Sequence, residues 1–371
     1  MKTIMPYKTI GIIGGGQLGR MMCLAAKAMG YKVAVLEPVK NCPCGQVADI
    51  EINAEYNDMA AIKNLAEISD VITYEFENID YGALAYLENH AYLPQGSSVL
   101  KTTQHRYREK TVIANMGIPV PEFLLIDSPA ALEKAVRYPS VLKTTMGGYD
   151  GKGQIVLKSE ADLPKAMDLA GKAECILEEW IPFDKEISVI IARGTAGGSA
   201  VFPVSENIHV NSTLHQSIVP ARISKEIENL AIQYAEKIAD NLNSIGILAI
   251  EMFVAGDRIY INELAPRPHN SGHYTIDACI TSQFEQHIRA VCGLPLGGTT
   301  LHTPVVMVNI LGDHMDREQM DNLGLYMPLL PNGKLHLYGK AEARLARKMG
   351  HINLLGDIEK SIKQAELAGI W

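Results

Sequence analysis

The chain has 371 residues, 47% hydrophobic and 20% charged, with a net charge of −8 from 34 basic and 42 acidic side chains. That balance fits a folded protein of two or three domains, and with no basic block it argues against non-specific nucleic-acid binding. No apolar run approaches the roughly 18 residues of a membrane span, the six cysteines have no zinc or disulfide spacing, and the apolar run after Lys8 stops at glycines, so reduced thiols and a cytoplasmic location are expected.

In chain order, strands are predicted at 9–14, 32–37 and 70–74, with helical patterns at 17–29, 57–67 and 80–89. Alternation at this spacing implies a parallel sheet covered on both faces, closed by Pro94 and Gly96. Its first turn, Gly14-x-Gly16-x-x-Gly19 with Glu37 after the second strand, has the form of a dinucleotide fingerprint.

Next, a helix carries His105, Arg106, Arg108 and Lys110, and "MGIPVPEF" breaks it. Strands at 140–145 and 155–157 flank the glycine-rich "MGGYDGKGQ", and a helix starts near 160. Strands at 175–181 and 185–193 give the middle section a mixed, antiparallel character, and a long helix is predicted over 224–242. "GILAIEMFV" and "RIYINEL" then surround a hairpin turn, and "PVVMVNIL" and "KLHLYG" form a strand-rich tail.

The hairpin places Glu251 and Glu263 twelve residues apart. An odd loop (Gly256-Asp257-Arg258) sets them opposite each other, with Cβ atoms roughly 5 Å apart, and two such carboxylates call for a hard cation such as Mg²⁺. A two-residue loop would send them to opposite faces. The loop 146–154 holds Lys152 and is either a mobile turn or a cradle of backbone N–H groups for phosphate; its spacing is not that of a Walker A loop. Lys143, in an apolar strand, needs a partner, either phosphate or carboxylate. Glu178, Glu179 and Glu186 are a solvated strand end or adenine and ribose contacts. "NELAPRPHNSGH" combines two prolines with convergent polar groups, as a preorganised substrate site requires. Lys340 and Arg347 hold a phosphate or belong to a solvated hairpin.

Taken together, "GGGQLGRM", "YEFENI", "GGYDGKGQ", "EEWIPFDKEIS", "NELAPRPHNSGHYTIDA" and "HLYGKAEARLARKMGH" resemble the N5-carboxyaminoimidazole ribonucleotide synthetases of the ATP-grasp superfamily, over essentially the whole chain. The resemblance implies an α/β ATP-grasp fold. Its parts would be a Rossmann-like substrate-binding domain (1–103), an ATP-grasp domain (104–303, lid about 116–178) and a strand-rich C-terminal domain (304–371).

It further implies ATP-dependent carboxylation of 5-aminoimidazole ribonucleotide by bicarbonate through carboxyphosphate. ATP would lie with its adenine against Glu178, Glu179, Trp180 and Ile181 and its ribose on Glu186. Arg106, Lys143 and the loop residues Gly148, Tyr149, Asp150, Gly151, Lys152, Gly153 and Gln154 would hold phosphates. His209 and Asn262 would contact the nucleotide, and Glu251 and Glu263 would hold Mg²⁺, for which Mn²⁺ can substitute. Arg267 would steady carboxyphosphate, with Tyr149, Asp150 and His269 near the reacting amine. Gln17, Leu18, Glu75, His269, Asn270 and Ser271 would face the ribonucleotide, with Lys340 and Arg347 on its phosphate. A homodimer is the implied assembly. The rival readings are another ATP-grasp ligase, such as a formate-dependent glycinamide ribonucleotide transformylase, an NAD-dependent dehydrogenase and a non-catalytic nucleotide-binding module.

Overall fold

The computed structural model describes residues 2–148, 151–312 and 330–367. The N-terminal part contains β1 (Thr9–Ile13), α1 (Gln17–Ala28), β2 (Lys32–Leu36), β3 (Ile50–Ile52), α2 (Met59–Ile68), β4 (Val71–Tyr74) and α3 (Tyr81–His90). Its strands form a parallel sheet in the order β3-β2-β1-β4. The strands are nearly continuous Val, Ile and Leu because both faces are buried. The Asp58 side chain caps α2 by accepting N–H groups from Ala60 and Ala61. The short strand β3 lacks the apolar length that marks its neighbours.

After α4 (Ser98–Thr103) and α5 (Arg106–Asn115) comes a second sheet, built from β5 (Phe123–Ile126), β6 (Ser140–Thr144), β7 (Gln154–Leu157) and β8 (Cys175–Glu179) in the order β5-β8-β6-β7. The helices α6 (Pro129–Ala135) and α7 (Leu163–Ala170) cover it, burying Leu132, Leu142, Leu157 and Leu177. The glycine-rich loop joins β6 to β7. In it Gly147, Gly151 and Gly153 all have φ between 71 and 78°, which glycine adopts without strain.

A nine-stranded antiparallel sheet forms the body. It contains β9 (Lys185–Arg193), β10 (Ser199–Val201), β11 (Ser205–Val210), β12 (Thr213–Val219), β13 (Gly246–Ala255) and β14 (Arg258–Ala265). The helix α8 (Lys225–Asn241) packs on one face, while α9 (Thr275–Ala278) and α10 (Gln283–Val291) follow the hairpin. The tail strands β15 (Val305–Leu311), β16 (Gly333–Leu337) and β17 (Lys348–Leu355) do not form a sheet of their own. They extend the body through β12-β15 pairing and are backed by α11 (Ile358–Leu367).

One core is shared between the first sheet and the body. Met22 and Ile12 pack with Phe284, Ile288 and Val291 of α10, and with Tyr338. Ile4 also donates its N–H to the Cys292 carbonyl at 2.8 Å. This packing fixes the turn after β1 relative to the strands of the body. All six cysteines are free and buried, as expected of reduced thiols. Among the described residues no helix is long and apolar enough to cross a membrane.

Candidate active site

A cavity of about 760 Å³ lies where the three sheets meet, a size suited to small-molecule substrates. One half of it starts at the β13–β14 hairpin. Ala255 pairs with Arg258, so of the two loops the sequence left open the chain has the two-residue one, Gly256-Asp257. Gly256 has φ 59°, as a two-residue turn with glycine first requires. Yet Glu251 still faces Glu263, because a bulge slips the register between Glu251 and Met252 and leaves Asn262 unpaired.

Burial and then the charge of Glu263 raise the Glu251 carboxyl. Burial pushes Glu263 up too, but the Arg106 guanidinium, 2.8 Å from its Oε2, more than offsets this and holds it low. The proton affinities of the two facing carboxylates are thus driven apart, Glu251 up and Glu263 down. Among the described residues no group of three His, Cys, Asp or Glu is placed to hold a metal alone. Two hard oxygen donors completed by phosphate oxygens and water suit Mg²⁺.

Arg106 also donates to the Gly148 carbonyl at 3.0 Å, tying the glycine loop to the carboxylate pair. Of the two partners the sequence left open for Lys143, phosphate or carboxylate, the structure shows a carboxylate, Glu178 Oε2 at 2.7 Å, with Asn262 Oδ1 at 3.5 Å. One oxygen of the Glu178 side chain, Oε2, is therefore engaged with lysine, while Oε1 has no hydrogen-bond partner among the described residues. Glu179, Trp180 and Ile181 line the same wall, as do Gly151, Lys152, Gly153 and Gln154. His209 Nδ1 sits 3.0 Å from Glu186 Oε2. Burial opposes its charge, but Glu186 outweighs burial and raises its pKa. Tyr149 and Asp150 lie outside the described residues.

The other half is built on the turn after β1. Here Glu75, at the end of β4, accepts N–H groups from both Gly16 and Gly19 at 2.6 Å. Glu37 accepts the Gly15 N–H at 2.8 Å and the Tyr56 hydroxyl. A Cβ on Gly16 would lie 2.6 Å from Glu75 Oε1, and one on Gly15 2.3 Å from Cys42 Sγ. The glycines thus admit two internal acids, and the helix N-terminus that a pyrophosphate would use already holds a carboxylate. Glu37 is thus bound within the turn, and Glu75 braces the turn as well as lining the cavity.

Gln17 and Leu18 project from that turn into the cavity, where Lys340 Nζ donates to Gln17 Oε1 at 2.7 Å. Arg347 and Lys348 reach the same wall from the start of β17. His336 Nε2 and Asn353 Nδ2, both 2.7 Å from Asp277 Oδ2, hold this hairpin against the segment after the signature loop.

The loop "APRPHNS" bridges the two halves. Arg267 pairs with Glu77 at 2.9 Å. His269 accepts the Ser271 N–H at Nδ1 and lies 3.4 Å from Glu251 through Nε2. Burial, then Arg267, lowers the His269 pKa to about 3, so the ring is neutral at physiological pH. Ser271 is fully buried beneath His269 and does not line the cavity. Asn270 does line it, only 7% exposed, and neither its Oδ1 nor its Nδ2 has a partner among the described residues. A buried amide left unpaired on a cavity wall calls for a ligand to complete it.

Sequence reasoning overlooked Lys348, Glu77 and Glu109 among the residues lining the cavity. For Lys348 a signal existed in the basic run ending "RKMGH".

Comparison with known proteins gives the family of the chain. Family models match in order a ribonucleotide synthetase preATP-grasp domain (residues 7–104), an ATP-grasp domain (111–284) and a phosphoribosylaminoimidazole carboxylase C-terminal domain (305–365). The N5-carboxyaminoimidazole ribonucleotide synthase of Bacillus subtilis is 55% identical over 372 aligned residues, 99% of this chain and 96% of that one. The chain belongs to the N5-carboxyaminoimidazole ribonucleotide synthetase family of ATP-grasp enzymes. A solved synthetase of this family in complex with ADP is 60% identical, with a TM-score of 0.97 over 100% of this chain and 98% of that one. An Aspergillus clavatus synthase, solved with ADP and 5-aminoimidazole ribonucleotide, is 29% identical, with a TM-score of 0.91 over 97% of both chains. Membership of the synthetase family removes the dehydrogenase reading.

Proposed function

We propose that this chain carboxylates 5-aminoimidazole ribonucleotide, consuming ATP and bicarbonate and releasing N5-carboxyaminoimidazole ribonucleotide, ADP and phosphate in purine synthesis. The observation that carries the proposal is the continuity of one cavity. It joins Arg106, Lys143 and the Glu251–Glu263 pair to Gln17, Lys340 and Arg347 across one stiff loop.

In the reaction a bicarbonate oxygen attacks the γ-phosphorus, the bond to ADP breaks, and carboxyphosphate forms. The aminoimidazole nitrogen then attacks the carboxyl carbon, phosphate leaves, and the nitrogen gives up a proton. Such phosphoryl transfer needs positioning and charge neutralisation more than covalent help. Lys143 and Arg106 would supply positive charge to the phosphates, with Arg106 exchanging Glu263 for phosphate as nucleotide enters. Mg²⁺, or Mn²⁺ in its place, would lie between Glu251 and Glu263 and neutralise the phosphate oxygens. Arg267 stands on the loop between the halves, where carboxyphosphate would form. The neutral ring of His269 would face the amine without repelling a cation bound at Glu251. Asn270 would give its amide to the ribonucleotide, and the 146–154 loop would cover the site against water. We also infer a cytoplasmic homodimer, the assembly expected of the family.

Release of ADP by purified protein with ATP and Mg²⁺ tests the function. Release that requires 5-aminoimidazole ribonucleotide plus bicarbonate, with a carboxylated product, is the expected result. Release only with glycinamide ribonucleotide plus formate would keep the fold and replace the substrate.

A further inference from the structure

The bulge that brings Glu263 opposite Glu251 is gripped from outside the sheet by two consecutive residues of α5. β14 is an edge strand, so its outward N–H and C=O groups have no ladder partner and must be met by something else. The Ile261 N–H reaches the Pro119 carbonyl at 2.9 Å. Lys110 Nζ donates to the carbonyls of Ile261 at 2.9 Å and Asn262 at 2.6 Å. Glu109 Oε1 accepts the Leu264 N–H at 2.8 Å. Both side chains are only 1% exposed.

Burying a lysine beside a glutamate is costly unless their polar groups are used. The carboxylate of Glu178 lies 3.8 Å from Lys110, beyond hydrogen-bonding distance, so among the described residues the ammonium's hydrogen bonds go to the bulge carbonyls. The register makes the consequence concrete. Continued from Ala255↔Arg258 without a slip, the ladder would set Asn262 opposite Glu251 and turn Glu263 to the other face.

We propose that Lys110 and Glu109 are positioning residues that fix the Asn262 bulge and so place Glu263 opposite Glu251 as a divalent-cation clamp. The proposal rests on reading that pair as the Mg²⁺ site. Lys110 does not line the cavity, and Glu109 reaches its wall with one carboxylate oxygen committed to the Leu264 N–H. They act through the backbone of β14.

The test titrates Mn²⁺ in the presence of ADP, reading bound Mn²⁺ by electron paramagnetic resonance, for the unaltered protein and for Lys110→Met, Glu109→Leu and Glu109→Gln. Lys110→Met keeps the length of the stem but removes the donor. Glu109→Leu removes the acceptor, whereas Glu109→Gln retains an oxygen for the Leu264 N–H. Lys110→Met and Glu109→Leu are expected to weaken Mn²⁺ binding by about tenfold or more, with Glu109→Gln held within about threefold and metal-free ADP binding within about twofold.

Melting temperatures accompany each titration. A purely structural role would lower them and leave the Mn²⁺ constant of the folded protein unchanged, and that result overturns the proposal. If Lys110→Met does not fold, the Glu109 pair decides, and equal Mn²⁺ constants for Leu and Gln overturn it. No Mn²⁺ binding by the unaltered protein overturns the clamp and the proposal together. The assay contains no ribonucleotide, so an error in the assigned substrate would appear only in turnover.

Discussion

Acid is expected to weaken the junction between the first sheet and the body through His287. This imidazole is fully buried. Its Nδ1 accepts the Ile247 N–H at 3.1 Å, which leaves the proton on Nε2, 2.7 Å from Thr73 Oγ1. Thr73 passes the chain on to Gln95, whose Nε2 donates to the Pro266 carbonyl at 3.3 Å. A second ring proton would confront the Ile247 N–H, and burial depresses the His287 pKa to about 3.

The unfolded imidazole titrates near 6.5, so as pH falls the unfolded state takes up the proton first. Stability from this group is therefore complete above about pH 6.5 and declines from there toward pH 3. At about pH 5 the gap is roughly 1.5 pH units, and at about 1.36 kcal/mol per unit the loss is about 2 kcal/mol. His273 and His351 are depressed by burial as well, so the comparison must isolate one ring. His287→Gln does so, since its amide can accept from Ile247 and donate to Thr73. Guanidinium unfolding at several pH values between about 8 and 5 should show the unaltered protein losing about 2 kcal/mol more than the variant. Parallel pH profiles would refute the argument.

Glu263→Gln should abolish ADP release while leaving the melting temperature nearly unchanged, because a cation ligand is lost at the cavity wall; unaltered Mg²⁺-dependent turnover would remove the metal assignment. Lys340→Ala should raise KM for the ribonucleotide by about tenfold or more and leave that for ATP within about twofold; equal effects on both would contradict a phosphate contact beside Gln17. Asn270→Ala removes a buried amide with no side-chain partner among the described residues, so it should leave the melting temperature unchanged or higher while lowering kcat/KM for the ribonucleotide by about tenfold. A lower melting temperature with full activity would show that the amide serves the fold.

Much of this architecture is legible in the chain because its signals are local. The β1-to-β4 alternation, the caps and the length of α8 follow from periodicity and from residues such as Asp58. The pairing of Glu251 with Glu263 was legible only by accident of route. An odd loop gives the right partners, but the loop is even and a bulge at Asn262 restores them. Nothing near residue 262 announces that bulge, since its supports are Pro119, Glu109 and Lys110, far away in sequence. The glycine turn after β1 misleads in the same way. Its spacing is that of a dinucleotide site, and only the fold reveals that Glu37 and Glu75 converge on it. Lys143 behaved more simply, because a charge in an apolar strand demands a partner wherever the chain supplies one. The join between the tail strands and the body was not legible, because register across β12 and β15 depends on contacts that no short window contains.

The turn after β1 has a consequence for how such sequences are sorted. A search that stops at three glycines and a following acid would place this chain among cofactor-dependent oxidoreductases. One added position, an acid directly after the strand that pairs with β1 on its other side, separates turns that carry their own counter-charge from turns that await one. By the same logic, replacing Glu75 with a small neutral residue would expose the amides of Gly16 and Gly19. That would turn a self-filled turn into a vacant receptor for phosphate esters, a starting point for installing a new nucleotide preference in this scaffold.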